Sequence, residues 1–90
     1  MGYSALNFQV ARIHRLKDKG RIKAFVDLRV GEELLLKGLR IVEGKNGLFI
    51  SMPQQKGKDN KWYDTVRCLS QDVRQLISEN ILEAYESQKV

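Results

Sequence analysis

The cleanest alternation in the chain is RIKAFVDLRV, residues 21–30. Ile22, Ala24, Val26, Leu28 and Val30 fall on one side, and Arg21, Lys23, Phe25, Asp27 and Arg29 on the other. That period of two is what a half-buried strand requires. NFQVARIHRL, residues 7–16, alternates more loosely, with Ala11 and Ile13 on one side and Arg12 and His14 on the other. The short Lys17-Asp18-Lys19-Gly20 link between these runs predicts a hairpin. Beyond Gly31-Glu32-Glu33, LLLKGLRIVE (34–43) is apolar on both faces, with Leu35, Leu39 and Ile41 on one and Leu34, Leu36 and Val42 on the other. Such a strand needs cover on both sides. Asn46-Gly47 supplies the positive φ angles of a tight reversal. Leu48 to Met52 then reads as a short buried strand that Pro53 ends.

WYDTVRCL (62–69) reads as a fifth strand, and Ser70 as the N-cap of a helix over 71–88 with Asp72 at its positive end. Val73, Leu76, Ile77, Ile81, Ala84 and Tyr85 share one face, Asn80 lies within it, and Leu82 lies opposite, exposed unless another chain covers it. The expectation is an α+β domain: an antiparallel β-meander of about five strands followed by a C-terminal α-helix. It spans 1–90 as one domain, with residues 1–6 as a flexible N-terminus.

Composition adds a size constraint. Ninety residues with 42% hydrophobic side chains make a folded but small domain, and a lone copy of that size is marginally stable. One helix covers one face of the sheet, so a second copy is the simplest cover for the other. Leu34, Leu36, Val42 and Leu82 are the expected interface. The single Cys68 excludes an internal disulfide and a multi-cysteine zinc site, which suits a reducing cytoplasm. No signal region is expected from residues 1–20, and no apolar run reaches membrane-spanning length. His14, the only histidine, has no partner at ligand spacing, and no nucleophile–base pair can be assembled. Neither a metal, a cofactor, a small-molecule substrate nor catalysis is expected.

Charge separates the two ends. Residues 1–61 carry thirteen Lys and Arg against six Asp and Glu, whereas residues 62–90 carry three against five. A basic excess favours anionic partners. In QQKGKDNKWY, Lys56, Lys58 and Lys61 precede Trp62 and Tyr63. Cations beside rings suit a single strand, whose phosphates and bases they meet respectively. The same residues also suit a solvated loop whose aromatics turn back into the core. Arg12, His14, Arg21, Lys23 and Arg29, with Phe25 among them, form either a basic site or the wet side of a sheet, and Asp27 interrupts any phosphate track there. Arg40 is placed to pair with Glu43 or Asp64, or to reach a phosphate. Arg67 and Arg74 flank the strand-to-helix junction and come within reach of the lysine loop if the fifth strand pairs with the fourth.

GRIKAFVDL, then LKGLRIVEGKNGLFISMPQQKGKDNKWYD, then a helix ending ILEAYE resemble stage V sporulation protein G (SpoVG), the bacterial septation regulator family. The most specific part is RIVEGKNGLFISMP, close to the family pattern R-V-I-[ED]-G-x-N-G-L-F-[VI]-x-M-P. The resemblance covers roughly residues 8–86. It implies a small cytoplasmic α+β homodimer that binds DNA and also RNA and affects septum formation and gene regulation. Arg74 matches a family arginine, whereas Arg67-Cys68 stand where an aromatic or His and a proline are usual. Gln75 and Leu76 stand where many members carry another basic residue. Asp72, Glu79, Glu83 and Glu86 make this helix a poor phosphate surface. The leading expectation is a homodimeric nucleic-acid-binding regulator using Lys56, Lys58, Lys61, Arg67, Arg74 and Arg40. The alternative is a protein-interaction module using an edge strand and Leu82.

Overall fold

The structure, a computed structural model, describes residues 7–17 and 20–87. The expected flexible segment 1–6 and the middle of the first turn lie outside the described residues. Strands β1 (Phe8–Arg15), β2 (Ile22–Val30), β3 (Leu34–Gly44) and β4 (Gly47–Ser51) form one antiparallel sheet in that order. β5 (Gln54–Lys56) and β6 (Trp62–Asp64) pair as a separate hairpin, here called the arm, and α1 (Gln71–Ser87) follows. The architecture is the expected α+β meander with a C-terminal helix. The fifth strand differs from expectation: it is three residues long and pairs with β5, because Pro53 interrupts the chain before any ladder to β4 can extend.

The core lies between one sheet face and the helix. Ala24, Val26 and Leu28 of β2, Leu39 and Ile41 of β3, and Ile50 and Met52 are buried against Ile77 and Ile81. The period-two assignment of β2 is therefore met at Ala24, Val26 and Leu28. Ser70 caps the helix as expected, its Oγ accepting from the Val73 backbone N–H at 3.3 Å. At the far end, the Arg15 side chain donates to the Tyr85 carbonyl and lies 4.0 Å over the Tyr85 ring. Helical carbonyls in the last turn lack internal donors and carry partial negative charge, so a cation from β1 supplies what the helix's own last turn does not.

Three register shifts interrupt the sheet, one at Ile22/Ala24 in β2 and two that correct the strand faces read from alternation in β1 and β3. In β1, Val10 pairs with Leu28 but Arg12 with Asp27, so Ala11 is the extra residue and is exposed, while Val10 and Ile13 pack on the core. In β3, Leu39 pairs with Val26 but Leu36 with Leu28. Gly38, at φ 91°, absorbs that slip in a conformation L side chains rarely adopt. The slip moves Leu36 to the core side and turns Leu35 outward, opposite Arg29. In the β3–β4 turn only Gly47 has positive φ; Asn46 does not.

The helix also sits asymmetrically on the sheet. Leu76, expected inward, is half exposed, and Leu82, expected outward, packs against the core. An open cleft lined by Phe8, Gln9, Val10, Asn80, Glu83, Ala84 and Ser87 runs along one flank of α1, so burial shifts to the flank of Leu82 and Tyr85. This predicts opposite outcomes for two truncations of the same helix. Ile81→Ala leaves a cavity and lowers unfolding free energy by about 2–5 kcal/mol, whereas Leu76→Ala changes it by no more than about 0.5 kcal/mol. Urea titrations followed by far-UV circular dichroism measure both.

Candidate nucleic-acid interface

The arm carries the lysines. Lys56 pairs directly with Trp62, Gln55 with Tyr63 and Gln54 with Asp64. Alternation along a two-stranded ribbon therefore places Lys56 and Trp62 on one side and Tyr63 on the other. Trp62 and Tyr63 are 58% and 51% exposed, so the rings do not turn back into the core. Lys56, Lys58 and Lys61 are exposed beside them.

The loop at the tip is ordered by local bonds. Gly57 N–H donates to the Lys61 carbonyl at 2.8 Å, and Asn60 N–H to the Gly57 carbonyl at 3.0 Å. Asn60 itself takes a left-handed conformation, φ 66°. The Asp59 carboxylate accepts from the Lys61 N–H at 3.1 Å and from the Tyr63 hydroxyl at 2.5 Å. The Tyr63 ring lies so close to Gly57 that a Cβ there would stand 2.8 Å from Cε2, which is why this lysine-rich turn carries a glycine. The Tyr63 hydroxyl, and next the Lys61 N–H, hold the Asp59 carboxyl below its ordinary titration range, and the same bond raises the Tyr63 phenol above its own.

The root of the arm is tied to the sheet. The Pro53 carbonyl accepts from both Thr65 N–H, at 2.9 Å, and Thr65 Oγ1, at 3.1 Å. Gln54 Nε2 donates to Asp64 Oδ1 at 2.8 Å, and Gln54 Oε1 in turn accepts from Arg40. Arg40 also donates to Ser51 Oγ at 3.2 Å. Arg40 thus meets Asp64 only through Gln54, while Glu43 pairs with Lys23 at 3.2 Å. This tethering role of Arg40, and the Asp59–Tyr63 bond, were not legible as such in the sequence.

Other expected site residues lie apart. The condition for bringing Arg67 and Arg74 to the lysine loop, pairing of the fifth strand with the fourth, is not met, since β6 pairs with β5. Both arginines are exposed. Of the four expected interface residues, Leu36 and Leu82 pack on the core, Val42 is half-buried beside exposed Phe49, and Leu34 is exposed. Large apolar side chains are exposed both on the sheet, at Phe25, Leu34, Leu35 and Phe49, and beyond it, at Trp62, Tyr63, Leu69 and Leu76, with Leu69 92% exposed. Cys68 is half-buried against the core and its thiol donates to the Ser70 carbonyl at 3.3 Å. Among the described residues there is no cluster of metal-ligating side chains, and no helix is long and apolar enough to cross a membrane.

A meander closed by one helix, with a basic aromatic arm projecting from it, matches known proteins along nearly its whole length. The SpoVG family profile matches residues 7–87, and the chain belongs to that family. It is 36% identical over 78 residues to a protein of Archaeoglobus fulgidus named "Putative septation protein SpoVG", covering 87% of this chain and 92% of the relative. A protein of the same name from Caldanaerobacter subterraneus is also 36% identical over 78 residues, covering 87% and 86% of the two chains. A third of that name, from Symbiobacterium thermophilum, is 40% identical over 76 residues, covering 84% of this chain and 54% of the relative.

The Asp59–Tyr63 bond gives a test of the loop. A depressed Asp59 and a raised Tyr63 mean the bond persists across the window from about pH 4 to about pH 10. It is lost as pH falls through the depressed Asp59 value, where the carboxylate gains a proton, and as pH rises through the raised Tyr63 value, where the phenol loses one. In Tyr63→Phe the Asp59 carboxyl is expected to titrate closer to the ordinary aspartate range, as followed by carboxyl-carbon NMR.

Proposed function

We propose that this protein is a non-catalytic, cytoplasmic regulator that acts in septation, as the names of its relatives suggest, by binding DNA or RNA as a homodimer. The observation that carries the reading is the arm: three exposed lysines and two exposed rings on a short hairpin tied to the sheet through Arg40 and Thr65. Trp62 and Tyr63 add nothing to the core, although Tyr63 orders the loop through Asp59. Beside cations they suit unstacked bases, each stacked base contributing about 1–3 kcal/mol. Arg67 and Arg74 supply further positive charge outside the arm. Two weak arms joined in a dimer bind one strand far more tightly than either alone.

A second reading, a protein-interaction module, is favoured by the exposed Leu69, just before the helix, and Leu76, on it. The two separate on salt. A Lys56/Lys58/Lys61→Ala variant is expected to keep its oligomeric mass in light scattering and to lose affinity about equally for all single-stranded sequences. The slope of log affinity against log salt flattens by roughly 0.7 for each phosphate contact removed. An interaction module instead shows no oligonucleotide binding near physiological salt.

A further inference from the structure

The sheet face turned away from the helix holds a hollow of about 290 Å³ lined by Arg12, His14, Phe25, Asp27 and Lys37. Its position follows from the shifts in β1 and β3. The extra residue in β1 falls where Arg12 comes to pair with Asp27, and the slip in β3 falls between the partners of Val26 and Leu28, which is to say opposite Asp27. Both neighbours of Asp27 therefore break register beside the same residue. A bulge bends and twists its strand and re-aims side chains, and it occurs often next to binding sites. Here two of them converge on one carboxylate, and the hollow lies beside it.

The lining has a specific chemistry. His14 and Phe25 are direct cross-strand neighbours on β1 and β2, so an imidazole and a phenyl ring stand side by side in the lining. Phe25 is 39% exposed. Arg12 and Lys37 flank it with positive charge, and Asp27 supplies an acceptor in their midst. A carboxylate is out of place on a phosphate track. It is well placed to accept from an N–H on a base edge, since an ionised Asp only accepts.

We infer that this hollow seats one unpaired base of a bound single strand, its ring on Phe25 and its N–H edge on Asp27, with Arg12 and Lys37 on the flanking phosphates. Guanine is the best fit, because its N1–H and 2-amino group offer two adjacent donors. Thymine and uracil place oxygens on either side of a single N–H and are the worst. The site rests on the nucleic-acid reading above and adds selectivity to an arm that binds without it.

The test uses oligothymidine and the same oligomer with one central guanine, each titrated by fluorescence anisotropy against the full chain. The guanine is expected to raise affinity at least about five-fold. Asp27→Asn removes that preference while leaving oligothymidine binding in place. Phe25→Leu weakens both oligomers by about five-fold or more and Phe25→Tyr restores them, with circular dichroism and light scattering unchanged. If wild type binds neither oligomer, the nucleic-acid reading falls and this site with it. If wild type binds and the lysine-loop variant weakens, but Asp27→Asn and Phe25→Leu do nothing, only the base site is overturned. A change of oligomeric mass in Phe25→Leu would assign the hollow to a second copy of the chain and overturn it equally.

Discussion

A chain this short has one helix with which to cover a four-stranded sheet. Ile77 and Ile81 close one face over Val26, Leu28, Leu39 and Ile41, and among the described residues no element covers the other. That single-sided burial governs the rest of the molecule. It explains why the open face is a mixture of charge with Phe25, Leu35 and Phe49 exposed, in place of the uniformly polar face of a solvated sheet. It also leaves Trp62 and Tyr63 of the arm outside the core, whose helix-covered side is filled by Ile77 and Ile81. What the domain offers to other molecules is what its core does not use.

The legible parts of the fold were those where one physical signal acted alone. β2 alternates cleanly over its middle, where Ala24, Val26 and Leu28 are buried as its period predicts, while Ile22, beyond a register shift, and Val30 are half-buried. Ser70 caps the helix because its hydroxyl reaches an amide that would otherwise lack an acceptor. The misread faces of β1 and β3 share one cause. A bulge shifts every later side chain to the opposite face, and alternation carries no mark of where the extra residue lies. Gly38 was the available signal, since glycine inside a strand points to a bulge or a close approach. It sits within an apolar run whose two-faced pattern alone suggests cover by a second copy. Part of that pattern was the register slip.

The helix shows a related limit. Spacing identifies a stripe but not the angle at which the helix lies on its sheet, so Leu76 and Leu82 exchanged roles. The lysines of the arm were legible as a cluster because three cations and two rings in eight residues are a compositional fact. Their scaffold was not. Arg40 reaches Gln54 across fourteen positions, and Asp59 meets Tyr63 through a turn that depends on a left-handed Asn60. Both arrangements come from tertiary geometry, which no local period encodes.

Arg40 is where the two halves of the molecule meet. On the sheet it stands beside Phe25, in the row that runs from His14 to Ser51. Toward the arm it donates to Gln54, whose amide holds Asp64. Its Nε is buried with no hydrogen-bond partner among the described residues, a condition that ordinarily costs about 1–3 kcal/mol. A residue kept only for stability would be replaced by an apolar one without that penalty. An arginine is suited to this position because it alone joins a planar group on the open face to a polar tether at the arm's root.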